Sequence, residues 1–272
     1  MWVNFKNTHK LLLACMAGLG LALSSANSAT AQTVEEIQEA GKIRVGVLVD
    51  FPPFGLLDGS GQPAGYDPDL AKMLADKLGV ELELVPVSGP NRVPYLLTNR
   101  VDLLIAALGV TKERAEQVDF SDPSATVDQV LYAGKDLKIE KLEDLSGHSV
   151  GVARGSAQDI TLTSSVPSDV TLQRYDDDPS TLQALLAGQA DAIAMSTLII
   201  ADIAKVTNVD AFEIKFPIRT LVHGIAMRKG NEELQTYIND FLKEVKQNGK
   251  LNEIHRKWLG VDFTDVEKPV LQ

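Results

Sequence analysis

Two basic side chains lie in the first turn of a predicted helix, where the helix dipole disfavours cations. The apolar run at residues 101–108 is typical of a strand, Gly109 ends it, and Thr111 is a favourable helix N-cap. Lys112 and Arg114 follow at once, although the partial positive charge of a helix N-terminus opposes them. A bound carboxylate would meet both the Arg114 guanidinium and the free helix N–H groups, so the pattern favours an anion-binding site.

Further candidate binding residues follow the ends of other predicted strands. Phe51 and Phe54 flank two prolines directly after the first strand, and the prolines stiffen the loop that holds the rings. Both rings could pack beneath the loop; we expect this of Phe54, whereas Phe51 is expected to face a cleft. Arg92 heads a short helix, and Ser156 begins a later helix whose first N–H groups suit a carboxylate. Open α/β sheets bind ligands at the carboxyl ends of their strands, so we expect these residues to converge.

Catalytic and metal-binding patterns are scarce in the sequence. The histidines after residue 31 lack the spacing of paired metal ligands, and they are His148, His223 and His255. The only cysteine is Cys15, and Ser156 lacks the flanking glycine of a nucleophile elbow. The acidic run at residues 176–178 precedes Pro179, which is more typical of a helix start than of a catalytic cluster. We therefore expect no catalytic residue, no metal and no cofactor.

The first 31 residues are predicted to be a cleaved signal peptide. Two lysines form a basic start, a short apolar segment follows, and residues 29–31 read Ala-Thr-Ala, which matches a signal peptidase site. A lipoprotein signal ending at Cys15 is the alternative, but almost no apolar segment precedes that cysteine. Cleavage would export to the periplasm a cysteine-free chain of 272 − 31 = 241 residues, beginning at Gln32, with a net charge of −11 − 2 = −13.

The composition limits the class of protein. With 44% hydrophobic and 23% charged residues, the chain has the balance of an ordinary globular protein. Its acidic excess argues against nucleic acid and anionic membrane surfaces as partners. An anionic ligand stays compatible with this charge, because a local pair of arginines can dominate a buried pocket.

Strand-like and helix-like segments alternate along the chain, which predicts an α/β fold with mainly parallel sheets flanked by helices. The predicted strands cover residues 42–48, 81–85, 101–108, 148–153, 170–174, 190–195 and 223–230. The predicted helices cover residues 67–78, 93–99, 180–187, 197–204, 232–247 and 251–258, and another begins after Ser156. We expect the last two helices to return to the first lobe. Lobe 1 is predicted at residues 32–131 and 224–272 and lobe 2 at 132–223, with two hinge strands and a ligand cleft between them.

Several motifs resemble those of the extracellular family 3 solute-binding proteins, the periplasmic receptors of polar amino-acid ABC transporters. The matching segments, in the order of the family, include FPPF, GYDPDLAKMLADKLGV, TKERAEQVDFSDP, LQALLAGQADAIAM and NGKLNEIHRKWLG. The resemblance implies the two-lobed periplasmic binding protein type II fold. It also implies a monomer that binds a small amino acid or organic acid and delivers it to permease subunits in the inner membrane.

The resemblance further implies roles for individual residues. In the family, the aromatic ring at the position of Phe51 stacks on the ligand, and the arginine of the T-x-x-R element, here Arg114, clamps its α-carboxylate. The N–H groups of Ser156 and Ala157 would join that clamp from the other lobe. Arg92 lies in an NRVP segment that resembles the glutamate- and aspartate-binding branch of the family, where this arginine would bind a second carboxylate.

Three more positions are expected to contact the ligand. Ala107 and Gly109 lie at the end of the predicted strand, and many members carry Ser or Thr at the position of Gly109, so that contact becomes one through the backbone. Members usually have an aspartate for the α-ammonium where this chain has Ser196. Asp159 could substitute for it, or the ligand could be a dicarboxylate or other organic acid without an ammonium.

Two alternatives to a transport receptor remain open from the sequence. Cyclohexadienyl dehydratases resemble the same family and use a glutamate at a position that corresponds to Ile199, whose side chain cannot transfer a proton. We therefore expect a protein that is not an enzyme. A sensor subunit that docks to a chemoreceptor or kinase would use the same fold.

Overall fold

The computed structural model describes residues 33–203 and 210–269 of the chain. The predicted signal peptide, the lipoprotein alternative and the last residue of the predicted helix 197–204 lie outside these ranges. The described part has the predicted α/β fold, with one eight-stranded sheet, a small three-stranded sheet and helices packed against them. None of the helices in the two ranges has the length and hydropathy of a membrane span.

The elements follow the predicted alternation along the chain. The strands are β1 Lys42–Val47, β2 Asp50–Phe51, β3 Gly55–Leu57, β4 Pro63–Ala64, β5 Glu81–Pro86, β6 Leu103–Leu104, β7 Val118–Gly134, β8 Ser149–Ala153, β9 Thr171–Tyr175, β10 Ala192–Ser196 and β11 Phe212–Arg228. The helices are α1 Val34–Ala40, α2 Tyr66–Leu78, α3 Arg92–Leu97, α4 Lys112–Ala115, α5 Ala157–Ser165, α6 Asp178–Leu186, α7 Thr197–Ile203, α8 Glu232–Gln247 and α9 Lys250–Leu259.

The eight-stranded sheet consists of two parallel groups joined by an antiparallel pair. Its strand order is β5-β1-β6-β11-β7-β10-β8-β9. In one group β1 pairs in parallel with β5 and β6, and in the other β8 pairs in parallel with β9 and β10. Between them β7 and β11 pair antiparallel with each other. The groups form the two lobes, and β7 and β11 are the two strands that pass through both.

Each of these two strands is 17 residues long. Ala226 of β11 pairs with Leu104 of β6, whereas residues 129–133 of β7 pair with β10 in the other group. Of this pair the sequence predicted only residues 223–230, because Pro123 and Pro217 interrupt the alternation of apolar side chains. The residue numbers predicted for the lobe boundaries stay a prediction.

Two predicted elements have different limits in the structure. The strand predicted at residues 101–108 is shorter in the structure, where β6 comprises Leu103–Leu104 and the N–H groups of Asp102 and Ile105 also donate to β1. Ala107 then has a left-handed φ of 45°, which ends the extended conformation. Helix α2 begins at Tyr66 with Gly65 as its N-cap, so Asp67 does not cap it as predicted. The carboxylate of Asp67 instead accepts a hydrogen bond from the Ala107 N–H.

The last two helices return to lobe 1, as predicted. Helix α8 packs on β7 and α2, and α9 packs on α2 and α8. The indole Nε1 of Trp258 donates to Asp69 at the start of α2, over 2.7 Å.

Tyr66 joins α2 to the first of the two long strands. Its side chain is fully buried, and its hydroxyl donates to the carbonyl oxygen of Ser124 over 2.6 Å. The ring makes edge contacts with Phe54 and His255, at centroid distances of 5.5 and 5.6 Å. Together these contacts hold the loop after β1 and the strand β7 against helix α2.

We predict that Tyr66→Phe destabilises the fold. Loss of the hydroxyl leaves the buried Ser124 carbonyl without its donor, which costs about 1–3 kcal/mol of unfolding free energy. Urea denaturation followed by circular dichroism measures the change. The control is Tyr95→Phe, because Tyr95 is only half-buried and none of the described residues hydrogen-bonds its hydroxyl; the expected change is within about 0.5 kcal/mol. Equal effects of the two substitutions would contradict the role given to the Tyr66 hydroxyl.

Candidate functional site

A cavity lies where loops and helices of both lobes meet beside the two long strands. Six of the eight predicted site residues line it, namely Phe51, Arg92, Ala107, Arg114, Ser156 and Ala157. Gly109 and Ser196 do not line it. The sequence did not single out eight further polar residues of the lining as ligand contacts, and these are Asp50, Gln129, Arg154, Gln158, Asp176, Asp177, Asp178 and His223.

Arg114 connects the two lobes through its guanidinium group. Its Nη1 donates to the Gly109 carbonyl over 2.8 Å, and its Nη2 donates to the Gly155 carbonyl over 2.9 Å. Burial, and then the charge of Arg92, lower the pKa of Arg114. Helix α4 is only four residues long, so its dipole is weak and the guanidinium is the stronger positive charge here. The remaining N–H groups of the fork are available to a carboxylate.

Arg92 is the first residue of α3 and is also buried, with 6% of its surface exposed. Its Nε donates to the Gly89 carbonyl, and its Nη1 donates to the carbonyls of Ala106 and Ala107. Burial lowers the pKa of Arg92, while nearby acids, of which Asp178 contributes most, oppose that shift. In the part of the chain that the structure describes, neither Arg92 nor Arg114 forms a salt bridge, although both line the cavity.

Ala107 presents its backbone to the cavity in a strained conformation. Its φ of 45° is unusual for a residue with a side chain, and its N–H donates to Oδ2 of Asp67 over 2.7 Å. Burial raises the pKa of Asp67 to about 7, although the Ala107 N–H and the charge of Arg92 oppose the shift. A single buried carboxylate thus holds the lobe 1 backbone that lines the cavity.

Ser156 and Ala157 line the cavity from lobe 2, at the start of α5. The Ser156 hydroxyl caps the helix by accepting from the Asp159 N–H, and the Ser156 N–H donates to the Ala153 carbonyl. The N–H of Ala157, in the first helical turn, has no acceptor within the helix. Asp159, the predicted substitute for the missing aspartate, accepts from the Gly155 N–H and pairs with Arg174, and it does not line the cavity.

Ser196 and Gly109 have structural environments that differ from the predicted ligand contacts. The Ser196 side chain is fully buried, and its hydroxyl accepts from the Leu198 N–H at the start of α7. A Cβ atom at Gly109 would lie 2.2 Å from the side chain of Leu221, so a larger residue there would require that side chain to move. Gly109 therefore supports the site through its carbonyl, which positions Arg114.

Two carboxylates that the sequence did not predict line the cavity. Asp177 caps α6 by accepting from the Ser180 N–H, which confirms the helix-start interpretation of residues 176–178. The next residue, Asp178, is nevertheless buried in the cavity wall, where burial and the charge of Asp50 raise its pKa to about 7. Burial and the charge of Asp177 raise the pKa of Asp50. The position of Asp178 directly after a parallel strand was the signal in the sequence that could have revealed it.

Unpartnered polar atoms are concentrated at this cavity. Among the described residues, four buried side-chain atoms lack a hydrogen-bond partner, and three of them line it: Gln129 Oε1, Asp178 Oδ1 and His223 Nδ1. Burial, followed by the charges of Arg92 and Arg114, lowers the pKa of His223 to about 3, so its ring is neutral at pH 7. Since buried polar groups are normally paired, this arrangement is typical of a site for a polar ligand. No group of three or more metal-ligating side chains was found in the two described ranges.

We predict that glycine is tolerated better at position 107 than at position 106. Ala106 and Ala107 are both buried, but only Ala107 has a positive φ. The two alanine-to-glycine substitutions lose the same methyl group and gain similar freedom in the unfolded chain, so their difference reports the backbone strain. Ala107→Gly should have an unfolding free energy about 1–2 kcal/mol above that of Ala106→Gly in urea denaturation. Equal stabilities would show that Ala107 is unstrained.

We predict that Asp67→Asn changes the pH dependence of stability. The pKa of Asp67 in the folded state, near 7, lies above the ordinary value of an aspartate. Its contribution to the free energy of unfolding is therefore complete below about pH 4 and is lost as the pH rises to about 7. The amide keeps an acceptor for the Ala107 N–H but cannot ionise. The free energy of unfolding of the variant should therefore rise relative to that of the native chain between pH 4 and pH 7, by on the order of 1 kcal/mol per pH unit in denaturant titrations. Asp76→Asn, an exposed change on the same helix, is the control, and a pH-independent difference for Asp67→Asn would refute the prediction.

Comparison with known proteins identifies the family of this chain. The sequence matches the bacterial extracellular solute-binding proteins, family 3, over residues 43–261. The L-cystine-binding protein TcyJ of Escherichia coli is 31% identical over 259 residues, covering 94% of this chain and 97% of that protein. A solved structure of the solute receptor for L-cysteine of Neisseria gonorrhoeae is similar with a TM-score of 0.77 and 34% identity, covering 84% of this chain and 93% of that one.

A second solved structure bears on the enzyme alternative. It is an ancestral amino acid-binding protein described as a precursor of cyclohexadienyl dehydratase, with a TM-score of 0.75 and 33% identity, covering 83% of this chain and 98% of that one. Both solved structures are similar in fold to this protein. The cavity of this protein lies at the junction of its lobes and holds buried guanidiniums and unpartnered polar atoms. The chain belongs to the bacterial extracellular solute-binding proteins, family 3.

Proposed function

We propose that the protein is the periplasmic binding component of an ABC importer and that its ligand is a small polar amino acid. The observation that carries this proposal is the set of three unpartnered buried polar atoms that line one cavity together with the guanidiniums of Arg92 and Arg114. A ligand with a carboxylate at one end and polar groups at the other satisfies all of them. The relatives named for cystine and cysteine support the amino-acid class.

Arg114 receives the α-carboxylate in this proposal. Its guanidinium already donates to one carbonyl from each lobe, so a carboxylate bound to the same fork contacts both sides of the cleft. The Ala157 N–H adds a donor from lobe 2, and the Phe51 ring covers the ligand from lobe 1. These contacts form only when the lobes close on the ligand. Each of them therefore shifts the equilibrium between the open and closed forms toward the closed form.

The side chain of the ligand is received by neutral groups of the two long strands. Gln129 on β7 and neutral His223 on β11 each present an unpartnered atom to the cavity. Arg92, proposed from its sequence context to bind a second carboxylate, has its Nε and Nη1 engaged by backbone carbonyls and has acids nearby. Because these carbonyls and acids already surround Arg92, we expect a ligand with an uncharged polar side chain rather than the acidic side chain of glutamate or aspartate.

The cellular setting follows from the family and from the targeting pattern. We propose that residues 1–31 direct export, that the protein acts as a monomer in the periplasm, and that its closed form docks on permease subunits in the inner membrane. A dehydratase activity is not favoured, because Ile199 occupies the position of the glutamate that such enzymes use and its side chain is buried. Binding of a non-amino organic acid is the alternative that the ligand screen below decides.

A thermal-shift screen tests the proposed function. The purified mature chain is heated with each of the standard L-amino acids, L-cystine and a series of monocarboxylic and dicarboxylic organic acids. We expect the largest rise in melting temperature with an uncharged polar amino acid, because ligands that bind only the folded state raise its stability by mass action. A shift with organic acids alone supports the alternative, and no shift with any compound would overturn the proposal.

We predict that Arg114→Ala abolishes most of the affinity for the amino acid that the screen selects. Removal of a buried, charge-assisted contact costs about 2–5 kcal/mol, which corresponds to a loss of about 30-fold or more in calorimetric titration. Arg114→Lys keeps the charge but loses the planar fork, and it should bind with intermediate affinity. Arg100→Ala, an exposed change outside the cavity, is the control and should bind as the native protein does. Unchanged binding by Arg114→Ala would remove Arg114 from the site.

A further inference from the structure

The position expected to recognise the α-ammonium group cannot do so in this chain. Ser196 is fully buried, is uncharged and does not line the cavity, and its hydroxyl accepts from the Leu198 N–H. An ammonium in a desolvated cleft needs an anionic partner, because burial of an unpaired charge is costly. Asp159 is committed to Arg174, so the partner must come from another part of the cavity wall.

We propose that Asp178, assisted by Asp50, binds the ammonium group of the ligand. This inference rests on the proposed amino-acid binding and adds the residues that recognise its positive end. It places the site that binds the ammonium at the start of α6 and on β2. The family aspartate would lie elsewhere, at the end of β10. The recognised chemistry is a primary ammonium next to a carboxylate.

Asp178 has the environment of a carboxylate built to meet a cation. It is 9% exposed, its Oδ1 has no hydrogen-bond partner in the described part of the chain, and it lines the cavity. Its two neighbours differ, because Asp177 is used as the N-cap of α6 and Asp176 is exposed. A buried carboxylate oxygen without a hydrogen-bond partner is destabilising, and a bound ammonium would supply the missing hydrogen bond.

Asp50 supplies the second carboxylate from a different element. It lies on β2, directly before Phe51, and α6 packs against β2, so the two acids approach the cavity from opposite lobes. The charge of Asp50 contributes to the raised pKa of Asp178, so the two groups interact across the cavity. The lobes therefore bring two like charges together when they close, and a ligand ammonium between them removes that repulsion. Closure is thus coupled to the presence of a cation.

The charges of the cavity favour a zwitterion over an organic acid. Three arginines and four aspartates line the cavity, so it offers charges of both signs to a ligand; these are Arg92, Arg114, Arg154, Asp50, Asp176, Asp177 and Asp178. An added dicarboxylate would supply no cationic group to the acids. The polar atoms of Gln129 and His223 lie on the long strands and carry no charge at pH 7 that could serve the ammonium. The unpartnered Oδ1 of Asp178 is the observation that assigns the positive end of the ligand.

Calorimetric titration with a matched pair of probes tests this inference. The probes are the amino acid with the largest shift in the screen and its 2-hydroxy acid, which replaces the ammonium by a hydroxyl. The native chain should prefer the amino acid by about 100-fold or more, and Asp178→Asn should reduce that preference to below about tenfold. Asp50→Asn should give a smaller loss. Asp76→Asn removes an exposed carboxylate outside the cavity and should keep the native preference.

The outcomes separate this inference from the proposed function. If no amino acid binds the native chain, the proposed function fails. If the amino acid binds but Asp178→Asn keeps the native preference, or Asp76→Asn loses as much of it, only the assignment of Asp178 is overturned. Melting temperatures of the ligand-free variants verify that each of them folds. Should Asp178→Asn fail to fold, the test uses Asp50→Asn and the same ratio of affinities for the amino acid and its 2-hydroxy acid. An unchanged ratio in Asp50→Asn then overturns the proposal.

Discussion

The pairing of two long antiparallel strands is the constraint on which the rest of the molecule depends. Strands β7 and β11 are each 17 residues long and are the inner strands of the large sheet, with a parallel group on either side. Because both lobes are built on the same pair, the loops at their strand ends are brought to one cavity. Gln129 and His223, on the pair itself, line that cavity between residues of the two lobes. The strands that hold the lobes together therefore also contribute to the site.

Buried charge is the second organising feature of this protein. Arg92 and Arg114 are buried without salt bridges among the described residues, and the carboxylates of Asp67 and Asp178 are buried close enough to influence Arg92. Each of these groups would be more stable in water, and the folded chain holds Arg92, Arg114 and Asp67 in place with backbone carbonyls and N–H groups. Such an arrangement is costly without a ligand and favourable with one. This is the physical basis for a cleft whose closure depends on what it binds.

Several parts of the site could be predicted from residue types and spacing. The T-x-x-R element placed Arg114 one turn after a strand end, and the structure places it in the cavity with Arg92 and Phe51. The Ser156 N-cap and the start of α5 were also predictable, because capping is a local property. Asp178 was not predicted as a site residue, since its neighbour Asp177 satisfies the local pattern of a helix start. Gln129 was not predicted either, because nothing local distinguishes a polar residue that faces a cavity from one that faces water.

The sequence by itself determined the alternation of strands and helices and the family, and it predicted Arg114 as the residue that binds a carboxylate, because periodicity, capping and motif spacing are local properties. Only the tertiary structure decided which polar side chains lose their partners on folding. It brought Asp50 and Asp178, 128 residues apart in the numbering, to the same cavity, and it used Ser196 to cap a helix. Burial and hydrogen-bond satisfaction are properties of the packed chain, so the recognition of the positive end of the ligand could be inferred only from the fold.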